Sequence, residues 1–271
     1  MNIKFILNLG ILVSGLLSIS SANAGTIVQC GQGLCSASFH INDGNKQVGS
    51  GQFNYNSTTG NIALDTENNI SAGGKKNLSG GITWDLGAGK TVSVNSVTGN
   101  ADPILFFGLG ATTGGVASNY SFFFDLPIAI SGAIDTASSV SYSLTSKTGA
   151  GAQIQGFGSN KVVQAWDIDT TVGGIGSLNK NVDVGGTHFH TGGPATSSSP
   201  VYTDSDSIIG DLAYDTMSVQ VAFNLSADSI VGITGFVSQT PVPLPGAAWL
   251  MLTGLGFLAS RRKLAHFLAH F

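Results

Sequence analysis

Two histidines, His188 and His190, stand in the run Gly185-Gly186-Thr187-His188-Phe189-His190-Thr191-Gly192-Gly193 and are the sharpest local concentration of chemistry in the chain. On a strand, residues i and i+2 share a face. The two imidazoles could therefore supply half of a Zn or Cu site, completed by Asp183, Asp204, Asp206 or His40. The competing reading is two solvated histidines on a glycine-flanked loop. Asp167-Ile168-Asp169 and Asp204-Ser205-Asp206 each set two carboxylates at i and i+2, which suits Ca²⁺. Neither continues into the D-x-[DN]-x-[DN]-G loop that makes such a site specific, so solvated turns or strand edges are expected. Trp84 and Trp166 could stack on sugar rings and make the chain a carbohydrate-binding module. Each lies in a strand-like run just before an aspartate, where packing in the core is the competing fate.

Other catalytic constellations are missing from the sequence. No Gly-x-Ser-x-Gly elbow occurs in the body, and the histidines have no recognisable nucleophile partner. Glu67 is the body's one glutamate, which gives little ground for a glycosidase carboxylate pair. No phosphate-binding glycine motif stands between a strand and a helix, so the glycines read as turn residues. The expectation is a body without catalytic residues or a required cofactor, Ca or Zn being the candidates if one is bound.

The elements that must carry these residues are strands. Residues 25–240 hold seven lysines, no arginine and fifteen carboxylates, a net charge of −8 that the whole-chain value of −4 conceals. An acidic, arginine-free body is a poor nucleic-acid binder. Abundant Gly, Ser, Thr and Asn favours strands and tight turns, and no helical period runs through the body. Hairpins are expected around Asn42-Asp43-Gly44-Asn45, between 36–41 and 47–55, and around Gly87-Ala88-Gly89, between 82–86 and 91–97. The apolar runs 104–109 and 120–126 place the core, with Phe122, Phe123 and Phe124 predicting a strand covered on both faces. Further strands are expected at 140–144, 153–157, 162–168, 219–225 and 230–237, and residues 171–215 read as a long polar loop region. About a dozen short strands with turns between them predict an antiparallel β-sandwich or jelly roll.

The two ends read as addresses. Residues 1–24 have a positive Lys4, an apolar stretch and Ala22-Asn23-Ala24, the pattern of a secretory signal peptide cleaved between Ala24 and Gly25. Cys30 and Cys35 follow in Cys-Gly-Gln-Gly-Leu-Cys, and in an oxidising compartment this pair is expected to form a disulfide worth only about 2 kcal/mol. At the other end, Val242-Pro243-Leu244-Pro245 precedes an apolar run of 15 residues, 246–260, and then Arg261-Arg262-Lys263. As a helix that run reaches about 22 Å at about 1.5 Å per residue. It would make a short membrane span, with the flanking cations snorkelling at one end. The positive-inside rule puts those cations in the cytoplasm and the body outside it.

The order Val-Pro-Leu-Pro, a Trp249-containing apolar helix with Gly254 and Gly256, and a basic stop resembles the PEP-CTERM sorting signal in its VPLPA variant. The likeness covers roughly residues 241–263. It implies an exosortase-type membrane peptidase as partner, a cut near Val242 to Pro245, and a producer of extracellular polysaccharide. The expected plan is then a signal at 1–24, an exported all-β domain at 25–240, a sorting signal at 241–263 and a short cytoplasmic extension at 264–271. A protein so addressed would first be tethered to the inner membrane and then reside at the cell surface or in the matrix. Its expected role is structural or adhesive, with a glycan-binding module as the alternative and a secreted metal-dependent hydrolase behind that.

Overall fold

The computed structural model describes residues 37–56, 59–67, 70–78, 80–100, 104–131, 133–157, 162–169, 182–191, 196–208 and 213–242. The signal peptide, Cys30 and Cys35, and the tail from Pro243 onward lie outside the described residues.

Period-two alternation is the dominant local signal, and it becomes strands throughout. In chain order they are β1 (Ser38–Asp43), β2 (Lys46–Tyr55), β3 (Asn61–Leu64), β4 (Gly74–Lys76), β5 (Ile82–Gly87), β6 (Lys90–Asn100), β7 (Ile104–Thr112) and β8 (Ser118–Ser131). They continue as β9 (Ile134–Ser146), β10 (Ala152–Gly156), β11 (Gln164–Asp169), β12 (His188–His190), β13 (Thr196–Ser198), β14 (Tyr202–Ile208), β15 (Ala213–Leu225) and β16 (Ser229–Pro241). No helix occurs among the described residues. β9 shows the rule plainly, because every second side chain from Ile134 to Ser146 is buried. The β1–β2 hairpin turns at Gly44, whose φ of 61° is the left-handed conformation that a tight hairpin turn needs.

All the strand pairings are antiparallel, and they form one sheet in the order β12-β10-β15-β8-β1-β2-β3-β6-β7-β16-β9-β13. β11 joins β15, β14 joins β9, and β4 and β5 extend from β6. β2 turns the corner: its first part pairs with β1 and its last three residues pair with β3. The sheet then curls back until its two extremes nearly meet, where His188 Nε2 on β12 lies 3.1 Å from Ser197 Oγ on β13. A nearly closed antiparallel sheet results.

The core fills the space between the two halves. Phe107 of β7 stacks on Phe124 of β8 at 5.5 Å, and Phe39 of β1 meets the edge of Trp84 of β5 at 6.0 Å. Burying rings of this size contributes about 1.5–3 kcal/mol each. The apolar runs expected to lie at the centre do so through Leu105, Phe107, Leu109, Phe122 and Phe124. Phe123 departs from expectation. A strand with one face on the core exposes alternate residues, and Phe123 points outward against His40.

Residues 171–215 also depart from expectation. β12, β13, β14 and the start of β15 fall within them, pairing with β10, β9, β9 and β8 respectively. Their Ser, Thr and Asp content matches an edge rather than a loop: β13 and β14 cover β9 and leave most of their own side chains in water.

Candidate functional site

His188 and His190 do share a face of β12, both half-buried, while Phe189 points the other way and is 59% exposed. The strand is held by its surroundings. The Gly186 N–H donates to Tyr142 Oη at 3.0 Å, and Tyr142 stacks on Tyr202 at 5.4 Å. Gly185 has φ 106°, and a side chain there would run into the Tyr142 hydroxyl, so the double glycine lets the chain pass over that ring.

The partners proposed for a metal do not gather around the two histidines. His40 lies on β1, stacked on Phe123 at 4.4 Å with the rings 11° from parallel. Asp204 and Asp206 lie on β14, each accepting from the next residue's backbone N–H, from Ser205 at 2.9 Å and from Ser207 at 2.8 Å. Among the described residues no three His, Cys, Asp or Glu side chains come together as a metal site. Asp167 and Asp169 lie on β11 beside β15.

Of the two fates open to Trp84, sugar platform or core residue, the structure gives the core. It is 1% exposed, and its indole N–H donates to Ser71 Oγ at 3.2 Å. Gly49 and Gly74 lie against the ring so closely that a Cβ at either would stand within about 3 Å of the indole. Trp166 pairs with Val219 in the backbone register of β11 and β15.

What the sequence did not reveal is the outer face of β6, β7, β16, β9 and β13. The register assembles it in rows across the strands. Thr91, Thr112, Ile230, Thr145 and Thr196 form one row, and Ser93, Gly110, Gly232, Ser143 and Ser198 the next. Ser96, Gly108, Thr234 and Ser141 follow, and then Thr98, Phe106, Phe236 and Ser139. None of these side chains carries a charge. Gly108 and Gly232 floor a groove of about 450 Å³, lined also by Asn95, Ser141, Ser143, Ser198 and Val201. A β-bulge between Val94 and Ser96 gives Asn95 its place on the rim. Neighbouring hydroxyls tie the wall together, with Ser141 Oγ 2.9 Å from Thr234 Oγ1 and Thr145 Oγ1 2.7 Å from Thr196 Oγ1. Beside the groove Phe106, 51% exposed, and Phe236 form a ring pair at 4.9 Å. Hydroxyls that donate and accept, a neutral floor and an exposed aromatic ring are the groups that a polyhydroxylated ligand contacts.

The outer face of the other half differs in chemistry. Ser50, His40, Phe123 and Gln220 form one row across β2, β1, β8 and β15, and Gln52, Ser38, Asp125 and Ser218 form the next. A groove of about 590 Å³ opens over Ser38, His40, Gln47, Ser50, Gln52, Ile70 and Ser71. Asp125 accepts from Ser218 Oγ at 2.8 Å, and farther along the Asn224 amide donates to Asn119 at 2.8 Å.

Burial also perturbs two tyrosines. Tyr120, whose hydroxyl donates to the Thr112 carbonyl at 2.9 Å, is pushed up by desolvation from 10.0 to about 12, Ser118 pulling the other way and Asp43 adding to the rise. Tyr142 is raised too, chiefly by burial and less by Tyr202, with the Gly186 N–H opposing.

No family model and no curated protein matches the chain. Solved structures give faint likenesses. The enzymatically active domain of bacteriophage CBA120 tailspike protein 4 aligns at 12% identity and a TM-score of 0.22, over 50% of this chain and 16% of the tailspike chain. The family 11 carbohydrate-binding module of Clostridium thermocellum, solved with a mixed-linked tetrasaccharide, aligns at 9% identity and a TM-score of 0.21, over 66% of this chain and 96% of the module. Infectious bursal disease virus, Gt strain, aligns at 12% identity and a TM-score of 0.20, over 85% of this chain and 73% of the viral chain. At these scores neither a fold nor a ligand is carried over to this chain.

Proposed function

We propose that this is an exported, non-enzymatic protein of the cell surface or exopolysaccharide matrix, with a structural or adhesive role exercised by holding polysaccharide. The observation that carries the proposal is the four charge-free rows across the outer face of β6, β7, β16 and β9, with their hydroxyls, glycine-floored groove and Phe106–Phe236 ring pair. In a body of net charge −8, a groove lined by no charged side chain selects a neutral polymer over an anionic one. We read the nearly closed sheet as a flattened sandwich, in which such outer faces are the surfaces left for contact.

The ends of the chain supply the address in this proposal: export by residues 1–24, tethering by the apolar run 246–260 with Arg261, Arg262 and Lys263 inside, and cutting near Val242 to Pro245 by an exosortase-type peptidase. N-terminal sequencing of the protein recovered from the cell surface should begin at Gly25. Recovery of the uncleaved chain from the cytoplasm would sink the localisation.

The binding reading is tested by affinity electrophoresis of the purified protein in gels cast with the cell's own neutral exopolysaccharide. Phe106→Ala should weaken retardation about 5- to 10-fold, the loss expected when a ring contact worth about 1 kcal/mol is removed. Equal retardation of wild type and variant would refute the assignment of this face. The secreted metal-dependent hydrolase is the weaker alternative. It requires bound Zn or Ca in the purified protein, and stoichiometric metal together with hydrolysis lost on His188→Ala would revive it.

A further inference from the structure

We propose that the body is a two-sided cross-linker: the groove beside His40 and Phe123, on the outer face of the other half and across the core from the hydroxyl face, is a second polysaccharide site. The inference rests on the reading that the hydroxyl face holds glycan, and adds to it a separate site with different chemistry.

The second groove has the parts such a ligand needs. His40 and Phe123 are register partners on β1 and β8, and their rings stack face to face at 4.4 Å, giving one half-exposed aromatic ridge from two side chains. Beside the stacked pair stand Gln47 and Gln52, both exposed, and the Ser38, Ser50 and Ser71 hydroxyls. A carboxamide offers donors and acceptors together, so one glutamine serves both halves of a sugar hydroxyl's demand. The groove's volume of about 590 Å³ falls in the range of ligand sites, about 300–1,000 Å³.

Charge decides the class of polymer. No lysine lines the groove, and the nearest carboxylate in its row system, Asp125, is held by Ser218 at 2.8 Å. An anionic polysaccharide would meet a carboxylate and find no cation, so the occupant is a neutral glycan chain.

The two ring pairs cannot serve one stretch of chain. Phe123 points outward from β8 while its neighbours Phe122 and Phe124 fill the core, and Phe106 points outward from β7 while Phe107 stacks on Phe124. The core therefore separates the ring pairs, and a body occupied on both sides joins two glycan segments. For a long polymer, joining segments raises the apparent affinity by about 10²-fold or more without any new contact.

The test uses the purified protein and the neutral fraction of the cell's own exopolysaccharide, separated from its anionic fraction by ion exchange. Binding is read by affinity electrophoresis and cross-linking by light scattering across the protein-to-polymer ratio. Wild type should bind and give a scattering maximum that disappears when protein is in excess. His40→Ala with Phe123→Ser, and separately Phe106→Ser with Phe236→Ser, should each still bind but lose the maximum, and the four changes together should lose both. Gln47→Ala with Gln52→Ala reads the same groove through exposed side chains if the ring variant melts early. Wild-type scattering from both His40-side variants would overturn the second site. A protein that dimerises before polymer is added, and cross-links through one face, would overturn it equally. Failure of the underlying reading looks different: Phe106→Ser with Phe236→Ser would then bind and scatter as wild type.

Discussion

At the scale of single residues, Trp84 and Phe106 exchange the roles that their types suggest. The indole is sealed by Phe39, Gly49, Gly74 and Ser71, so Trp84→Ala should lower stability by about 3–5 kcal/mol, measured as a shift in urea unfolding. At an equal folded fraction its glycan retention should be unchanged. Phe106→Ala should do the reverse, costing only the ring pair with Phe236, about 0.5–1.5 kcal/mol, while losing retention. Thr83-Trp84-Asp85 has the strand alternation but does not say which parity faces the core. That depends on β6, whose Val92 and Val94 pair with Trp84 and Ile82 and are likewise buried. The same limit applies to Phe123: three consecutive phenylalanines conceal that the middle one belongs to the outside. His188 and His190 were legible as a pair on one face, but their neighbours depend on how the sheet closes, which no local spacing encodes.

At the scale of elements, β16 carries glycines of opposite function three residues apart. Gly232 lies on the groove floor, where an added Cβ meets only the Ser143 hydroxyl at 2.7 Å, an atom that can rotate away. Gly235 faces the core, and a Cβ there would press into the Phe107 ring and crowd the Gln164 amide. Gly235→Ala should therefore cost about 1–3 kcal/mol of stability by overpacking. Gly232→Val should keep the fold and fill the groove, so thermal melts and polysaccharide retention separate the two. The long strands with one apolar face were readable from alternation, and both expected hairpins form, at Gly44 and at Gly87 to Gly89. β12, β13 and β14 were not readable. Short strands on a sheet edge bury little, so their composition is that of a loop, and their partners β9 and β10 lie tens of residues earlier in the chain.

At the scale of the whole molecule, the buried tyrosines set a limit in alkali. In the unfolded chain a tyrosine loses its proton near pH 10, at about the usual value. In the folded body Tyr120 keeps it to about 12, and burial raises Tyr142 as well. The folded state thus binds more protons in this window, so the contribution is intact below about pH 10 and is lost as pH rises toward 12. The urea midpoint should fall across that interval, and Tyr120→Phe with Tyr142→Phe should flatten the fall. The all-β class and the acidic, arginine-free character were legible from composition. The near closure of the sheet was not, because it depends on the meeting of β12 and β13. One consequence of the arrangement is mechanical. β16 ends at Pro241, just before the proposed tether, and is paired with β9 from Ser229 to Pro241 on one side and with β7 from Ile230 to Ser238 on the other. A pull on Pro241 along the strand loads both ladders in shear, so their hydrogen bonds must fail together rather than one at a time. A body gripping polymer on its flank and tethered through this strand would bear tension where its sheet is strongest.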